Sequence, residues 1–438
     1  MTSDGASARG TFVPNANRAL GILFIVGVIN YLDRIALSIL QVPIKVDLEL
    51  SDTQLGILTG IAFFIPYTLF SGPLGRLADH VNRKQLLAAV CALWSAATAL
   101  ISTVQGFGAL LLLRMGVAIG EAGCVPTSYS LLADYFAPAR RPRAFAMFVL
   151  AFPVGSMIGL AGVGALGSAI GWRNAFLVIG LFGLLLAVAV RMTLREPQRG
   201  ESEPSSVKHA GAMPSVTATL RMLWCLKGFR YLALAATFEA YVVGAILSWA
   251  PPFYVRAHHL DLSSVALAFG AVVGVGGGLG SYLGGALGGR LALRDRRWYV
   301  WLPALACGLV IPTGIVQFTV ASVYVSFACG LVSALLMNVF IAPAFALANS
   351  LVAPNVRGLT SATLLASTAI VGSGLGPFVT GVLSDYFVNH QGMQNTSLRY
   401  AIGAALPCAG IAAWLFMRAA VHLTPRETAE QVELTAAR

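Results

Sequence analysis

This 438-residue sequence predicts an all-α membrane protein: twelve spanning helices arranged as two six-helix pseudo-repeats. Three observations carry that prediction. Only 11% of the residues are charged and 57% are hydrophobic, whereas a soluble domain carries about a quarter charged residues. Twelve apolar stretches are each long enough to cross ~30 Å of hydrocarbon at ~1.5 Å per residue. A basic loop at 75–84, GRLADHVNRK, also has a counterpart at 289–298, GRLALRDRRW, so the pattern after the second stretch repeats after the eighth.

The elements follow in order. A polar tail, 1–18, lacks the apolar core and cleavage site of a signal peptide, so helix 1 (19–40) is expected to stay as an uncleaved anchor. Helices 2 (54–77) and 3 (84–103) flank the first basic loop, and helix 4 (107–133) follows. Helix 5 (141–166) is glycine-rich, and helix 6 (172–193) closes the first half, 19–193. The segment 194–228 is a polar linker whose core, REPQRGESEPSSVKHAGAMPS, reads as a flexible joint. Its end, VTATLRMLWCLKGF, suits either an amphipathic helix on the membrane surface or an extension of the next span. The second half, 229–420, contains helices 7 (229–253), 8 (262–289), 9 (298–319), 10 (321–349), 11 (357–386) and 12 (398–420), with a polar tail at 421–438. Helix 8 carries GVGGGLGSYLGG, a density of small residues that allows close helix approach. Helix 11 carries Gly376-Pro377, a bend that frees a backbone carbonyl.

The net charge of +11 is explained by topology and needs no nucleic-acid partner. Of the 29 Lys and Arg, four (Lys45, Arg173, Arg256, Arg399) fall in the loops opposite the termini and two (Arg34, Arg114) inside helices; the rest lie on the termini side. By the positive-inside rule both termini are cytoplasmic, which suits a multi-pass protein of a bacterial inner membrane. Five of the six cysteines fall within helices, and no disulfide framework is implied.

The loop at 75–84 resembles the signature of the major facilitator superfamily, through Gly75, Asp79, Arg83 and Lys84. His80 and Asn82 stand where that signature has a basic residue and a glycine, and the second copy has Leu293 in place of the aspartate. The resemblance implies that Asp79 faces the start of helix 11 and latches the cytoplasmic side, where a carboxylate favours a helix N-terminus.

Few ionisable residues fall deep inside helices: Asp33, Arg34, Arg114, Glu121 and Glu239. Each costs several kcal/mol facing lipid, so pairing or a wet cavity is expected. Asp33 and Arg114 both lie ~10 Å below the outer surface, which makes them natural partners across helices 1 and 4. Glu121 lies two turns deeper on the Arg114 face. Arg34 points ~100° from Asp33 and is left to pair elsewhere or face a cavity. A carboxylate beside an arginine that an anion can claim is a proton-coupling device; a static network that only fixes packing is the alternative. Asp33, Glu121 and Glu239 are the candidate proton carriers.

At NYLDR (30–34) and RMGVAIGEAGCVPTSYSLLADYF (114–136) the chain resembles the spinster family and its bacterial relatives. GWRNAF (171–176), LSWAPPFYVR (247–256), RDRRWYVWLPAL (294–305) and GSGLGPFVTGVLSD (372–385) are similar to the same group. The resemblance implies secondary transport of an amphipathic lipid, proton-linked, with Asp33, Arg34, Arg114 and Glu121 as the polar site of the first half. NYLDR and the Arg-to-Glu spacing also occur in proton-coupled organic-anion symporters, importers of sugar acids and aromatic acids, so that function stays open. A proton/drug antiporter is less favoured, because helix 5 lacks the Gly-Pro pair of that group.

The charges suit an anionic or zwitterionic head group held by Arg34 and Arg114, with Asn30 and Tyr31 beside it. Phe63, Phe64, Tyr67 and Trp249 are placed to meet an apolar remainder, although aromatics at helical spacing more often serve packing than a site. No Gly-Lys-Ser/Thr follows the glycines of helix 8, which argues against an ATP-driven pump. No nucleophile–base pair or metal cluster stands at a recognisable spacing, so no enzyme, metal or cofactor is expected. A membrane sensor without transport would want a signalling domain, and none is visible. The expected partners are the substrate, protons and the bilayer, with the protein working as a monomer.

Overall fold

The computed structural model describes residues 15–138, 140–199, 215–353 and 356–423. Most of the expected 1–18 and 421–438 tails and the centre of the 194–228 linker lie outside the described residues.

The described chain is helical with no strand, and eleven uninterrupted stretches are long and apolar enough to span a membrane. One of them, Arg141–Thr193, has 53 residues; straight, it would run ~80 Å. It is a hairpin. Gly171 takes φ 82°, a conformation open to glycine. The two ends return to neighbouring residues, where Arg141 donates to the Phe136 carbonyl and the Tyr135 hydroxyl donates to the Arg195 carbonyl. Twelve helices result: α1 (Ala16–Ile39), α2 (Asp52–His80), α3 (Arg83–Ile101), α4 (Phe107–Tyr135), α5 (141–170), α6 (172–193), α7 (Lys227–His258), α8 (Leu262–Ala292), α9 (Trp298–Thr319), α10 (Val323–Ser350), α11 (Arg357–Gln391) and α12 (Ser397–Val421). A short helix, Gln41–Asp47, joins α1 to α2.

One detail of the linker differs from expectation, and a second decides between two readings left open. Its first residues are strapped down: Glu196 accepts from the Arg83 side chain (2.8 Å) and from the Lys84 backbone N–H (2.8 Å). Arg83 also donates to the Pro197 carbonyl, and Arg199 to the Ala78 and Val81 carbonyls. The linker is therefore held against the first half up to Arg199. The following stretch forms its own helix, Val216–Cys225, capped by Ser215, with Val216, Leu220 and Trp224 exposed on one face and Leu223 buried on the other. That is the amphipathic surface helix, not an extension of α7.

The first six and last six helices meet unevenly. We call the membrane side of Arg83, Arg290 and Arg357 the basic side. On the opposite side α2 and α11 touch backbone to backbone: a Cβ on Gly56 would lie 2.6 Å from the Pro377 carbonyl oxygen, and one on Gly381 2.3 Å from that of Asp52. Near the centre a Cβ on Gly60 would come within 2.2 Å of the Gly374 oxygen. Towards the basic side α2 comes free, with Leu69, Phe70 and Leu77 exposed. The halves are thus closed at one side and parted at the other.

Candidate functional site

The break of α2 at Gly60 (φ −104°, ψ −103°) divides it into Asp52–Thr59 and Ile61–His80. The interruption leaves the Leu58 carbonyl free to accept from Arg114 Nε (3.4 Å), while Arg114 Nη2 donates to the Arg34 carbonyl (3.0 Å). Among the described residues no carboxylate hydrogen-bonds to Arg114. Arg34 instead pairs with Glu121, giving two hydrogen bonds to Oε2 at 3.1 and 2.9 Å. The Phe63 ring centre lies 4.9 Å from the Arg34 guanidinium carbon and 4.5 Å from that of Arg114. Tyr31 and Tyr67 approach Arg34 as well, at 4.9 and 4.6 Å. Two like charges are thus held beside aromatic faces, which attract cations.

Of these groups, Tyr31, Arg34, Phe63 and Arg114 line a cavity between the halves with roughly 550 Å³ of empty space, its open mouth included. The first half contributes Tyr31, Arg34, Phe63, Phe64, Arg114 and Phe152; the second contributes Val243, Gly244, Leu247, Ser248 and Ser373. Two cationic forks in largely aromatic and aliphatic walls form a place for an anion that carries apolar bulk.

Several expectations need correction. Asp33 is not hydrogen-bonded to Arg114: its Oδ2 accepts from the Thr98 hydroxyl at 2.5 Å, and its buried Oδ1 has no hydrogen-bond partner. The physical reason is helix phase. Asp33 faces α3, whereas Arg34, ~100° round α1, faces the cavity and reaches down to Glu121. Trp249 does not line the cavity. It is fully buried and donates Nε1–H to the Pro377 carbonyl at 2.8 Å, tying α7 to α11. Asn30 is buried with its amide unpartnered and is not a lining residue. Glu239 is likewise fully buried, with the Cys307 thiol beside its carboxylate and no ion pair among the described residues, inside the second half and outside the cavity lining.

The basic loop divides into two parts. Arg83 is buried and pairs with Asp134 of the first half and Glu196 of the linker, with no partner in the second half among the described residues. Gly75 packs towards Pro126 of α4, and Lys84 contributes its backbone to Glu196. Asp79 is exposed, and among the described residues no hydrogen bond or ion pair joins 75–84 to the start of α11.

Sequence reasoning missed a network on the opposite side. Asp52, fully buried at the start of α2, accepts from both guanidinium nitrogens of Arg256 (2.9 Å each), from Lys45 (2.6 Å) and from the Ser384 hydroxyl (2.7 Å). Asp385 accepts from the backbone N–H of Asp52 (2.9 Å) and Thr53 (2.7 Å), so a carboxylate at the end of α11 caps the N-terminus of α2. Gln41 donates to the Ser248 carbonyl at 3.0 Å, again across the halves. Arg256 and Lys45 read as loop charges in the sequence. The signal that would have exposed them is that Asp52, Arg256 and Asp385 all stand at helix ends on one side.

The family model described as Major Facilitator Superfamily matches residues 23–362, most of the chain. The chain belongs to the major facilitator superfamily. This transporter is 33% identical over 389 residues to an MFS-type efflux pump of Mycolicibacterium smegmatis, covering 89% of this chain and 87% of that one. It is 28% identical to human protein spinster homolog 1, covering 84% and 72%, and 29% identical to a probable L-galactonate transporter of Escherichia coli, covering 60% of each. Among solved structures it is similar to a bacterial homologue of the human lysosomal transporter spinster in an inward-facing, unoccupied conformation. The TM-score there is 0.86 with 27% identity, covering 95% and 98%. The spinster resemblance and the transporter class are thereby shown: the protein is a membrane carrier related to spinster and sugar-acid transporters, and not an enzyme.

Proposed function

We propose that this transporter is a proton-coupled secondary carrier that moves an amphipathic anion or zwitterion by alternating access. The observation that carries this reading is Arg114. It lines the cavity with only backbone carbonyls as hydrogen-bond acceptors, beside an Arg34–Glu121 pair that an incoming anion can loosen. When a substrate anion occupies Arg34 and Arg114, Glu121 loses its counter-charge in a buried setting and takes up a proton. Asp33, with one oxygen unpartnered, and Glu239 are further proton carriers, both buried away from water.

Positive-inside topology supports a cytoplasmic basic side and cytoplasmic termini, in a bacterial inner membrane. On that orientation the parted halves form an inward-open cavity. The Asp52–Arg256 and Asp385 contacts are then the closed outer gate, and Asp79 is the released inner latch, free to cap α11 when the carrier turns outward. Residues 19–193 and 229–420 move as two bodies. The cavity is complete within one chain, which supports a monomeric carrier.

A lipid-like substrate is favoured by the apolar walls, Phe152 among them, and by the exposed Val149 and Leu150 just before Phe152 on α5. A sugar-acid or aromatic-acid symporter is the second reading, favoured by the L-galactonate relative. The efflux-pump relative favours outward movement through the same cavity.

The test uses protein in liposomes with an internal pH dye. Lysophospholipids, sugar acids and amphipathic drugs are added singly to wild type, Asp33→Asn and Arg114→Ala. Proton movement triggered by a lysolipid and abolished in both variants is the expected result. A response to sugar acids alone moves the protein to the anion symporters, and a response to drugs alone moves it to the antiporters. Full coupling in both variants makes the two residues structural and ends this reading.

A further inference from the structure

The membrane face of the second half carries another concavity. α8, α9 and α10 surround a groove with about 470 Å³ of empty space, walled only by apolar side chains, among them Leu283, Leu287, Leu302, Leu305, Leu309 and Leu335. Glycines create it. Cβ atoms on Gly280 and Gly284 would come within 2.1 and 2.2 Å of the Leu335 and Val339 carbonyl oxygens, so α8 lies backbone to backbone on α10. The leucines of α9 are left uncovered, Leu305 60% and Leu309 45% exposed. From Leu302 to Leu309 the wall runs ~10 Å into the membrane.

The basic-side end of this groove is charged. Arg290 stands one turn beyond Leu287, and Arg294, Arg296 and Arg297 follow, with Asp295 as the one carboxylate within 290–297, so four positive charges against one negative leave +3. Asp295 accepts from the Arg297 backbone N–H (2.8 Å), and Arg296 is engaged by Ser350, whose hydroxyl lies 2.7 Å away. Arg290 and Arg294 are exposed and, among the described residues, pair with no carboxylate. Trp298 and Trp301 stand edge to face at 5.6 Å, and the Arg297 guanidinium carbon lies 5.9 Å from the Trp301 ring centre. Indoles and arginines together mark the head-group level of a bilayer.

We propose that this groove binds one anionic phospholipid of the basic-side leaflet. Its phosphate lies among Arg290, Arg294 and Arg297, and one acyl chain lies along Leu287 and Leu283 against Leu302, Leu305 and Leu309. Charge complementarity selects the occupant. A zwitterionic head group would bring its own cation to a loop of net charge +3, whereas an anionic one does not. The site is separate from the central cavity and independent of what that cavity carries.

Native mass spectrometry of the full-length protein, titrated with phosphatidylglycerol or phosphatidylcholine, tests the proposal. Wild type is expected to retain one phosphatidylglycerol in preference to phosphatidylcholine. Arg290→Gln/Arg294→Gln/Arg297→Gln should weaken that retention on the order of 100-fold. Leu305→Trp, which fills the groove and leaves the loop charges in place, should weaken it too. Arg143→Gln/Arg191→Gln/Arg221→Gln removes equal charge elsewhere on the basic side and should change nothing. Equal retention of the two lipids, equal loss in the control triple, or full retention in Leu305→Trp each overturns the proposal. So does disulfide trapping of two copies through Leu305→Cys in a Cys225→Ser background, which would assign the groove to a second chain.

Discussion

Asp33 and Arg34 are adjacent in the chain and serve different surroundings. Asp33 is tied to α3 through Thr98, and Arg34, one residue on, reaches down within the first half to Glu121 of α4. The Glu121 side chain is fully buried and that of Arg34 is 19% exposed, so deleting one partner strands a charge. We expect Arg34→Met to cost about 3–5 kcal/mol of stability. Arg34→Met/Glu121→Gln should recover much of that loss, because the double change leaves no unpaired charge. Thermal melting of the two single variants and the double in detergent measures the coupling; additive losses would mean that the two groups do not interact. Asp33→Asn keeps an oxygen to accept from Thr98, so its fold should survive. In liposomes it should retain substrate exchange between equal compartments while losing accumulation driven by a proton gradient. Loss of both activities would assign Asp33 to substrate binding or packing.

Glycines decide what the helices can do. Gly60 does two things: its backbone breaks α2 where Leu58 must accept from Arg114, and its missing side chain lets α11 approach. Gly60→Ala places a methyl 2.2 Å from the Gly374 oxygen, and backbone on both sides leaves nothing flexible to yield. The closed contact should lose about 1–3 kcal/mol, and a cysteine at Ser384 should label faster with a membrane-impermeant maleimide added from outside. Gly72→Ala, with nothing within 4 Å, is the control and should label like wild type. Gly171→Ala separates strain from crowding. Nothing lies within 4 Å of that Cβ either, yet φ 82° disfavours any side chain, so a destabilisation of about 1–3 kcal/mol should appear in melting. An unchanged midpoint would show that the α5–α6 turn can be made another way.

Over the whole molecule α2 and α11 work as a pair with a carboxylate available at each end. At the opposite side Asp385 of α11 caps the start of α2, while at the basic side Asp79 of α2 lies exposed, away from the start of α11. The Asp385 cap is the one this structure shows, and exchanging the two helices relates it to the Asp79 cap we propose for the opposite state. Each N–H to carboxylate bond contributes about 1.5–3 kcal/mol, so Asp385→Asn should shift the balance towards a state open on the opposite side. Arg256→Gln should do the same by leaving Asp52 with Lys45 and Ser384 alone. Double electron–electron resonance between spin labels on the two halves at that side should report longer distances in both variants. Unchanged distances would mean that the glycine contacts alone hold this side shut.

Apolar length, basic loops and a repeated motif were enough to read all twelve helices, and most ends fall within a turn of the structure, although α7 and α11 run five residues past the expected 253 and 386. α9 was read as 298–319 and observed as Trp298–Thr319. This works because the bilayer is an external ruler: each segment must satisfy its own backbone hydrogen bonds over a set thickness, so its identity is local. The interior charges were legible for the same reason, since five ionisable groups in hydrocarbon announce themselves one at a time. Their partners were not legible. Depth along a helix follows from counting, but whether Arg34 or Arg114 reaches Glu121 depends on helix rotation and on a carbonyl released by a break at Gly60. Trp249 looked like a cavity aromatic and proved to be a strut to Pro377, because an apolar face at helical spacing looks the same whether it meets a ligand or another helix. Asp52, Arg256 and Asp385 are more than 100 residues apart from one another, and only the packing of α2, α7 and α11 brings them together. The sequence by itself determined which segments cross the membrane and which of them carry charge. The tertiary structure decided which charges meet and which side is shut, because those depend on the relative rotation and closeness of helices that no single segment encodes.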